Sequence, residues 1–199
     1  MKNNKVQWMI KVAMLSALSM ILMLFEFPLP FIAPPFYELD FSEVPVLLGG
    51  FALGPLAGVM IECIKILLNF FINGSITYGV GEIANLAVGI VFVLPACLLY
   101  KKYRTKKSAI FGMIIGGATM VVIGSLLNAF VLIPAYAKFL KMPIDTFVKM
   151  GAGIYPAINS LWKLVLLCTV PFNILKAVLI SVITVLIYKP LSPVLKVKK

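Results

Sequence analysis

EIANLAVGIVFVLPACLLYKKYRTKK, residues 82–107, sets the terms for the rest of the chain. From Glu82 to Tyr100 it is almost wholly apolar. It then turns abruptly basic at Lys101, Lys102, Arg104, Lys106 and Lys107. A helix needs about 20 apolar residues to cross a bilayer, and membrane proteins place Lys and Arg beside their cytoplasmic helix ends. The stretch therefore reads as a transmembrane helix that reaches the cytoplasm at Tyr100. A barrel strand would alternate apolar and polar residues, and this run does not.

Working outward, the same signal recurs. Helices are expected over residues 6–25, 44–53, 56–71, 82–100, 108–133 and 171–188. Pro28, Pro30, Pro34 and Pro35 make Glu26 to Glu43 a loop, because proline cannot continue a helix. Gly54-Pro55 divides the second and third runs, either as a tight turn between two helices or as a kink in one. Asn73 to Gly81 is a glycine-rich loop. Pro134 to Ser160 is an amphipathic connection, and Pro171 marks the start of the last regular helix. The chain is 62% hydrophobic and only 13% charged, where a soluble domain has about a quarter charged residues. Its mean hydropathy is +1.07. The expectation is all-α: a single domain over residues 1–199, an integral membrane bundle of six transmembrane helices.

Charge fixes the orientation. Lys2, Lys5 and Lys11, the 101–107 cluster, and Lys189, Lys196, Lys198 and Lys199 fall on one side if there are six spans. That side is the cytoplasm, so both termini are cytoplasmic. Lys2, Lys5 and Lys11 precede an apolar run without a small-residue cleavage site, so this run reads as a retained helix rather than a leader. The net charge of +11 belongs to this pattern and not to nucleic-acid binding. There is no histidine, which excludes imidazole metal sites and histidine bases. Cys63, Cys97 and Cys168 stand singly in apolar runs and read as small buried hydrophobes.

Polar groups within a bilayer are costly, so each is a candidate for function. Helical rise converts position into depth. Lys176 lies about 12 residues from the inner end of its helix, roughly 18 Å, and Asn173 is nearly a turn further out. Asn128 lies about 20 residues along its helix, roughly 30 Å, and Asn85 is in the first turn of a helix descending from outside. These four gather in the outer half on three helices. The loop above them offers Phe31, Phe36, Tyr37 and Phe41 as ring faces and Glu38 and Asp40 as acceptors. Such a mixture suits a planar, partly apolar ligand; an interfacial aromatic belt with a solvated loop is the alternative. Glu62 and Lys65 share a helix face and read as an ion pair or, less favoured, a proton relay. Small residues recur at four-residue spacing in Ala13 and Ala17, in Gly50, Gly54 and Gly58, and in Gly112 and Gly116, a spacing that lets helices approach closely. No phosphate-binding loop, zinc-protease motif or nucleophile elbow is present, so neither ATP binding of that kind nor an enzyme is expected.

The stretches FPLPFIAPPFYELDFSEVPVLLGGFALGPLAGVMIECIKILLNFF, GVGEIANLAVGIVFVLPACLLYKKYRTKK, LLNAFVLIPAY and VPFNILKAVLISVITVLIYKPLSP resemble the riboflavin-specific substrate-binding subunit, or S component, of energy-coupling factor (ECF) transporters. LDFSEVP and PFNILK are the most specific segments. The resemblance implies a riboflavin-binding membrane subunit of a bacterial cytoplasmic membrane. It would work with a transmembrane coupling subunit and two cytoplasmic ATPases, with riboflavin as cargo and no cofactor. It places the ligand against Pro35, Tyr37, Glu38, Leu39, Asp40 and Phe41 of the loop and against Asn85, Asn128, Asn173 and Lys176. It gives Ala13 and Ala17 to docking of the coupling subunit. The competing reading is an autonomous carrier driven by an ion gradient, with Glu62 or Glu82 as the coupling site; against it, no inverted repeat is visible between the halves.

Overall fold

The computed structural model describes residues 2–75 and 78–195; the tail lysines Lys196, Lys198 and Lys199 lie outside them. The described chain is helical apart from one two-residue strand pair. Helix α1 spans Lys2–Met23 and is followed by the proline-rich loop, in which β1 (Phe27–Pro28) pairs antiparallel with β2 (Glu38–Leu39). Next come α2 (Glu43–Leu53), α3 (Pro55–Asn73) and α4 (Val80–Tyr103). Helix α5 runs Lys106–Leu127 and continues through a π turn, Asn128–Leu132, into Ile133–Phe139. Helix α6 is Ile144–Ala152. Helix α7 begins at Leu161–Leu164, passes a second π turn at Val165–Thr169 and ends with Val170–Leu195.

Five stretches are long and apolar enough to cross a membrane: Asn4–Met23, Pro55–Asn73, Val80–Tyr103, Lys106–Phe139 and Leu161–Leu191. Helix α2 is the exception. Its 11 residues extend roughly 16 Å, about half the hydrocarbon thickness. It can be short because it lies inside the bundle, with Glu43 through Phe51 all buried. Gly54, at φ 107°, separates α2 from α3, and Pro55 opens α3, where its missing N–H costs nothing. The two runs are therefore separate helices. The last helix starts ten residues before the expected Pro171, and α5 continues beyond the expected end at residue 133.

Cross-links fix the levels of the helices. The Ser19 hydroxyl donates to the Ser42 carbonyl, and the Trp8 indole N–H donates to the Leu53 carbonyl at 3.3 Å. Helix α2 thus returns antiparallel along α1. Phe51 packs its ring 4.9 Å from that of Tyr100 and 5.7 Å from that of Tyr188. The Tyr100 and Tyr188 hydroxyls are 2.6 Å apart. The start of α1, the α2–α3 turn, the end of α4 and the end of α7 therefore share one end of the bundle, which also carries Lys5, the 101–107 cluster and Lys189. The proline-rich loop, the α3–α4 loop and α6 occupy the other end, called here the loop end.

The small-residue spacings are mostly spent within the chain. A Cβ on Gly58 would sit 3.3 Å from the Gly50 Cα, and one on Gly112 would sit 2.8 Å from the Ala96 carbonyl oxygen. Glycine is what lets α2 meet α3, and α4 meet α5, at backbone contact. One apolar core, around Leu47, Ile61, Phe92, Met113 and Ile180, fills the basic end. A second, around Leu39, Ile133, Phe147, Leu164 and Phe172, sits at the loop end.

Candidate functional site

Strand alternation organises the loop. In β2, Glu38 and Leu39 point to opposite faces: Glu38 is exposed, while Leu39 is buried in the loop-end core. Tyr37, just before it, reaches between the two π turns. Its hydroxyl donates to Asn128 Oδ1 at 3.0 Å and lies 2.6 Å from Thr169 Oγ1. A phenol has one proton to give, so the Thr169 hydroxyl donates to Tyr37. The π turns begin at Asn128 and end at Thr169; such bulges are frequent at functional sites because they re-aim side chains. The Asn128 amide also donates to the Gly124 carbonyl at 3.2 Å, which leaves a second N–H for a ligand.

The next residue, Asp40, is buried as well, but charged. Asp40 Oδ2 accepts from Lys176 Nζ at 2.7 Å, and Asp40 Oδ1 accepts from the Ser42 backbone N–H at 2.7 Å. Burial would push the Asp40 carboxyl up, but Lys176, Lys65 and these hydrogen bonds outweigh it and hold it at about 2. The pair ties the loop to α7. Glu82 accepts from the Ser75 hydroxyl at 2.9 Å.

Beneath the loop lies a cavity of about 700 Å³, within the range of small-molecule sites. Pro35, Tyr37, Glu38, Asn85, Asn128, Asn173 and Lys176 all line it. Three of the loop residues expected with them do not. Leu39 faces the core, Asp40 is covered by its bond to Lys176, and Phe41 packs toward Phe27, with ring centroids 6.4 Å apart. Ala13 and Ala17 lie elsewhere, exposed on α1.

The lining is mixed. Phe36, Tyr136, Phe147 and Phe172 give it aromatic surface, and Glu26, Asn69, Asn73 and Glu82 give it polar groups. None of these eight was singled out from the sequence as a wall residue except Phe36. Asn69 had a usable signal: it lies four residues after Lys65 and seven after Glu62, on one stripe of α3. It is buried, and its Oδ1 has no hydrogen-bond partner. Phe147 comes from α6, inside the connection that the sequence left unaligned. Burial, together with Glu38 and Asp40, pushes the Glu26 carboxyl up to about 7, and partial desolvation at the cavity mouth, with the charge of Asp40, also raises Glu38. The only cation among the described lining residues is Lys176, and Asp40 already neutralises it. The arrangement offers ring faces, amide edges and acceptors, without nucleophile–base geometry; among the described residues no cluster of metal-ligating side chains occurs.

Comparison with known proteins agrees with this architecture. A solved structure described as the S component of a bacterial ECF transporter superposes with a TM-score of 0.74 at 35% identity, covering 96% of this chain and 99% of its own. The riboflavin transporter RibU of Staphylococcus aureus is 38% identical, over 98% of this chain and 95% of its own length. The riboflavin transporter FmnP of Bacillus subtilis is 34% identical, over 95% and 94%. The family model for the substrate-specific component of ECF transporters matches residues 7–188. This chain belongs to the substrate-specific components of ECF transporters.

Proposed function

We propose that this chain captures riboflavin in the cavity at the loop end and delivers it for uptake through a transmembrane coupling subunit and two cytoplasmic ATPases. The observation that carries the reading is the convergence of Asn85, Asn128, Asn173 and Lys176, from three helices, on one cavity that also presents aromatic faces. A tricyclic ring needs flat apolar walls and a few directed polar groups at its edge. A polyhydroxyl chain needs acceptors, and Glu26, Asn69, Asn73 and Glu82 supply them. The names of relatives matched over nearly the full length support the same ligand.

The chain sits in a bacterial cytoplasmic membrane with its basic end inside, because that end collects Lys5, the 101–107 cluster and Lys189. Counting α2 as a short return beside α1 gives six passes and cytoplasmic termini. The loop end then opens outward, where the vitamin is met. Ala13 and Ala17 are exposed four residues apart near the middle of α1, a smooth face on which a coupling-subunit helix can lie. The test is to purify the chain in detergent and record its visible spectrum. Bound flavin absorbing in the visible, displaced by added unlabelled riboflavin, is expected. A colourless protein that takes up no added riboflavin sinks the reading.

A further inference from the structure

Away from the cavity wall, α2, α3 and α4 enclose a second polar group. Lys65 Nζ lies 2.8 Å from Glu43 Oε1, 2.8 Å from Glu62 Oε2 and 3.2 Å from the Ser42 hydroxyl. All three charged side chains are buried, Lys65 and Glu62 completely. Both carboxyl groups press on the bare Cα of Gly89 in α4, where a Cβ would strike them. The two carboxyl groups therefore share one small space and one ammonium group. Glu43 Oε2 and Glu62 Oε1 accept no hydrogen bond among the described residues.

The surrounding groups do not make up the deficit. Asp40 is the next carboxylate and is already joined to Lys176. Cys63 beside Glu62 is a free thiol, α4 contributes Gly89, and α1 contributes the neutral Ser19 through Ser42. Three carboxylates thus face two ammonium groups. One negative charge would be left bare inside the bundle, which is strongly unfavourable. Two carboxylates held together out of water avoid that by keeping one proton between them.

We propose that Glu43, Glu62 and Lys65 form a proton-binding site that holds one proton shared by the two carboxyl groups. The proton comes from water and adds to a carboxylate oxygen; no other bond changes. Asn69, one turn along α3 from Lys65, is buried and lines the cavity, which is the side from which the proton enters. The protonated cluster is neutral, and through Ser42 and Lys65 it anchors the loop that covers the cavity.

Infrared spectroscopy of the full chain in lipid nanodiscs at about pH 7, where ordinary carboxyl groups are ionised, reads this directly. The parent carries Glu26→Gln and Glu38→Gln, which removes the two cavity carboxyl groups whose own titration is raised. The expected result is the carbonyl stretch of a protonated carboxylic acid that shifts in D₂O. Glu62→Gln and Glu43→Gln should each abolish it, since either leaves one carboxylate matched to Lys65. Absence of the band in the parent overturns the proposal without recourse to any further variant. A band that survives unchanged in both folded variants also overturns it.

Discussion

The same helices behave in opposite ways at the two ends of the bundle. At the basic end, Gly112 and Gly116 of α5 lie against the Ala96 and Phe92 carbonyls of α4, and Phe51, Tyr100 and Tyr188 close the space between α2, α4 and α7. At the loop end, α4, α5 and α7 present Asn85, Asn128 and Asn173 instead and stand apart around about 700 Å³. Small residues bring backbones together, whereas amides need partners and keep them apart. One set of helices therefore forms a cup, open above and sealed below. Such a cup suits the proposed division of labour, in which this chain binds the cargo and the coupling and ATPase subunits supply the energy for passage.

The sharpest break of that comparison is at α1, whose exposed alanines belong to neither end's packing. Replacing Ala13 and Ala17 together with Trp should abolish uptake in cells and co-purification with the coupling subunit. Riboflavin affinity of the purified chain should stay within about twofold, because neither residue approaches the cavity. Of Gly50, Gly54 and Gly58, the natural counterparts had α1 been packed on them, Gly50 and Gly58 are occupied by each other and by Cys97, and Gly54 forms the α2–α3 turn. A folded double variant that still transports would remove the docking role.

The two ends should also fail differently. Lys176→Met strands Asp40 as a buried, unpaired carboxylate, and breaking such a pair costs about 3–5 kcal/mol. The melting temperature in detergent should fall steeply and recover in part when Asp40→Asn is added. Phe51→Ala, at the sealed end, should cost a similar amount, about 3–5 kcal/mol, yet leave flavin affinity unchanged in the folded fraction. Loss of affinity in the Phe51 variant would mean that the two ends are not independent. Asn128→Ala is the smaller intervention. It removes a ligand partner and an acceptor of Tyr37, about 1–3 kcal/mol, or roughly 5- to 150-fold in dissociation constant by titration calorimetry.

What the sequence disclosed follows from what is local. Apolar run length marks the long helices, and helical rise places Asn85, Asn128, Asn173 and Lys176 in the outer half, and all four line the cavity. Pro134 and Pro171 misled for a shared reason. Each stands two residues beyond a π turn, at Asn128–Leu132 and Val165–Thr169, whose widened geometry absorbs the missing N–H and lets the helix continue. Pairings between distant residues had no signal at all. Asp40 meets Lys176 across 136 positions, and Glu43 joins the Glu62–Lys65 pair from another helix; no spacing rule reports either. The removal of Leu39 from the wall needed the β1–β2 pairing, a contact too short to leave a period in the sequence.

The finest distinction between the ends is electrostatic, and Glu26 tests it. The basic end carries exposed lysines, while the cavity wall carries Glu26, Glu38 and Glu82 with Lys176 already matched to Asp40. A phosphorylated flavin should therefore bind less well than riboflavin, since like charges repel more strongly away from bulk water. Burial and its acidic neighbours raise Glu26 from an ordinary 4.5 to about 7, so it is neutral below that value and charged above it. Raising the pH through 7 should widen the preference for riboflavin over its monophosphate. Glu26→Gln should flatten that widening by a few-fold, leaving only the part due to the phosphate's own ionisation near pH 6. Stability follows the same sign. Between about 4.5 and 7 the folded state holds a proton that the unfolded chain has released, so stability falls as pH rises through that window. The glutamine variant should lose that slope in thermal melts. A pH-independent preference, or a slope that survives the substitution, would place Glu26 outside the field that the ligand meets.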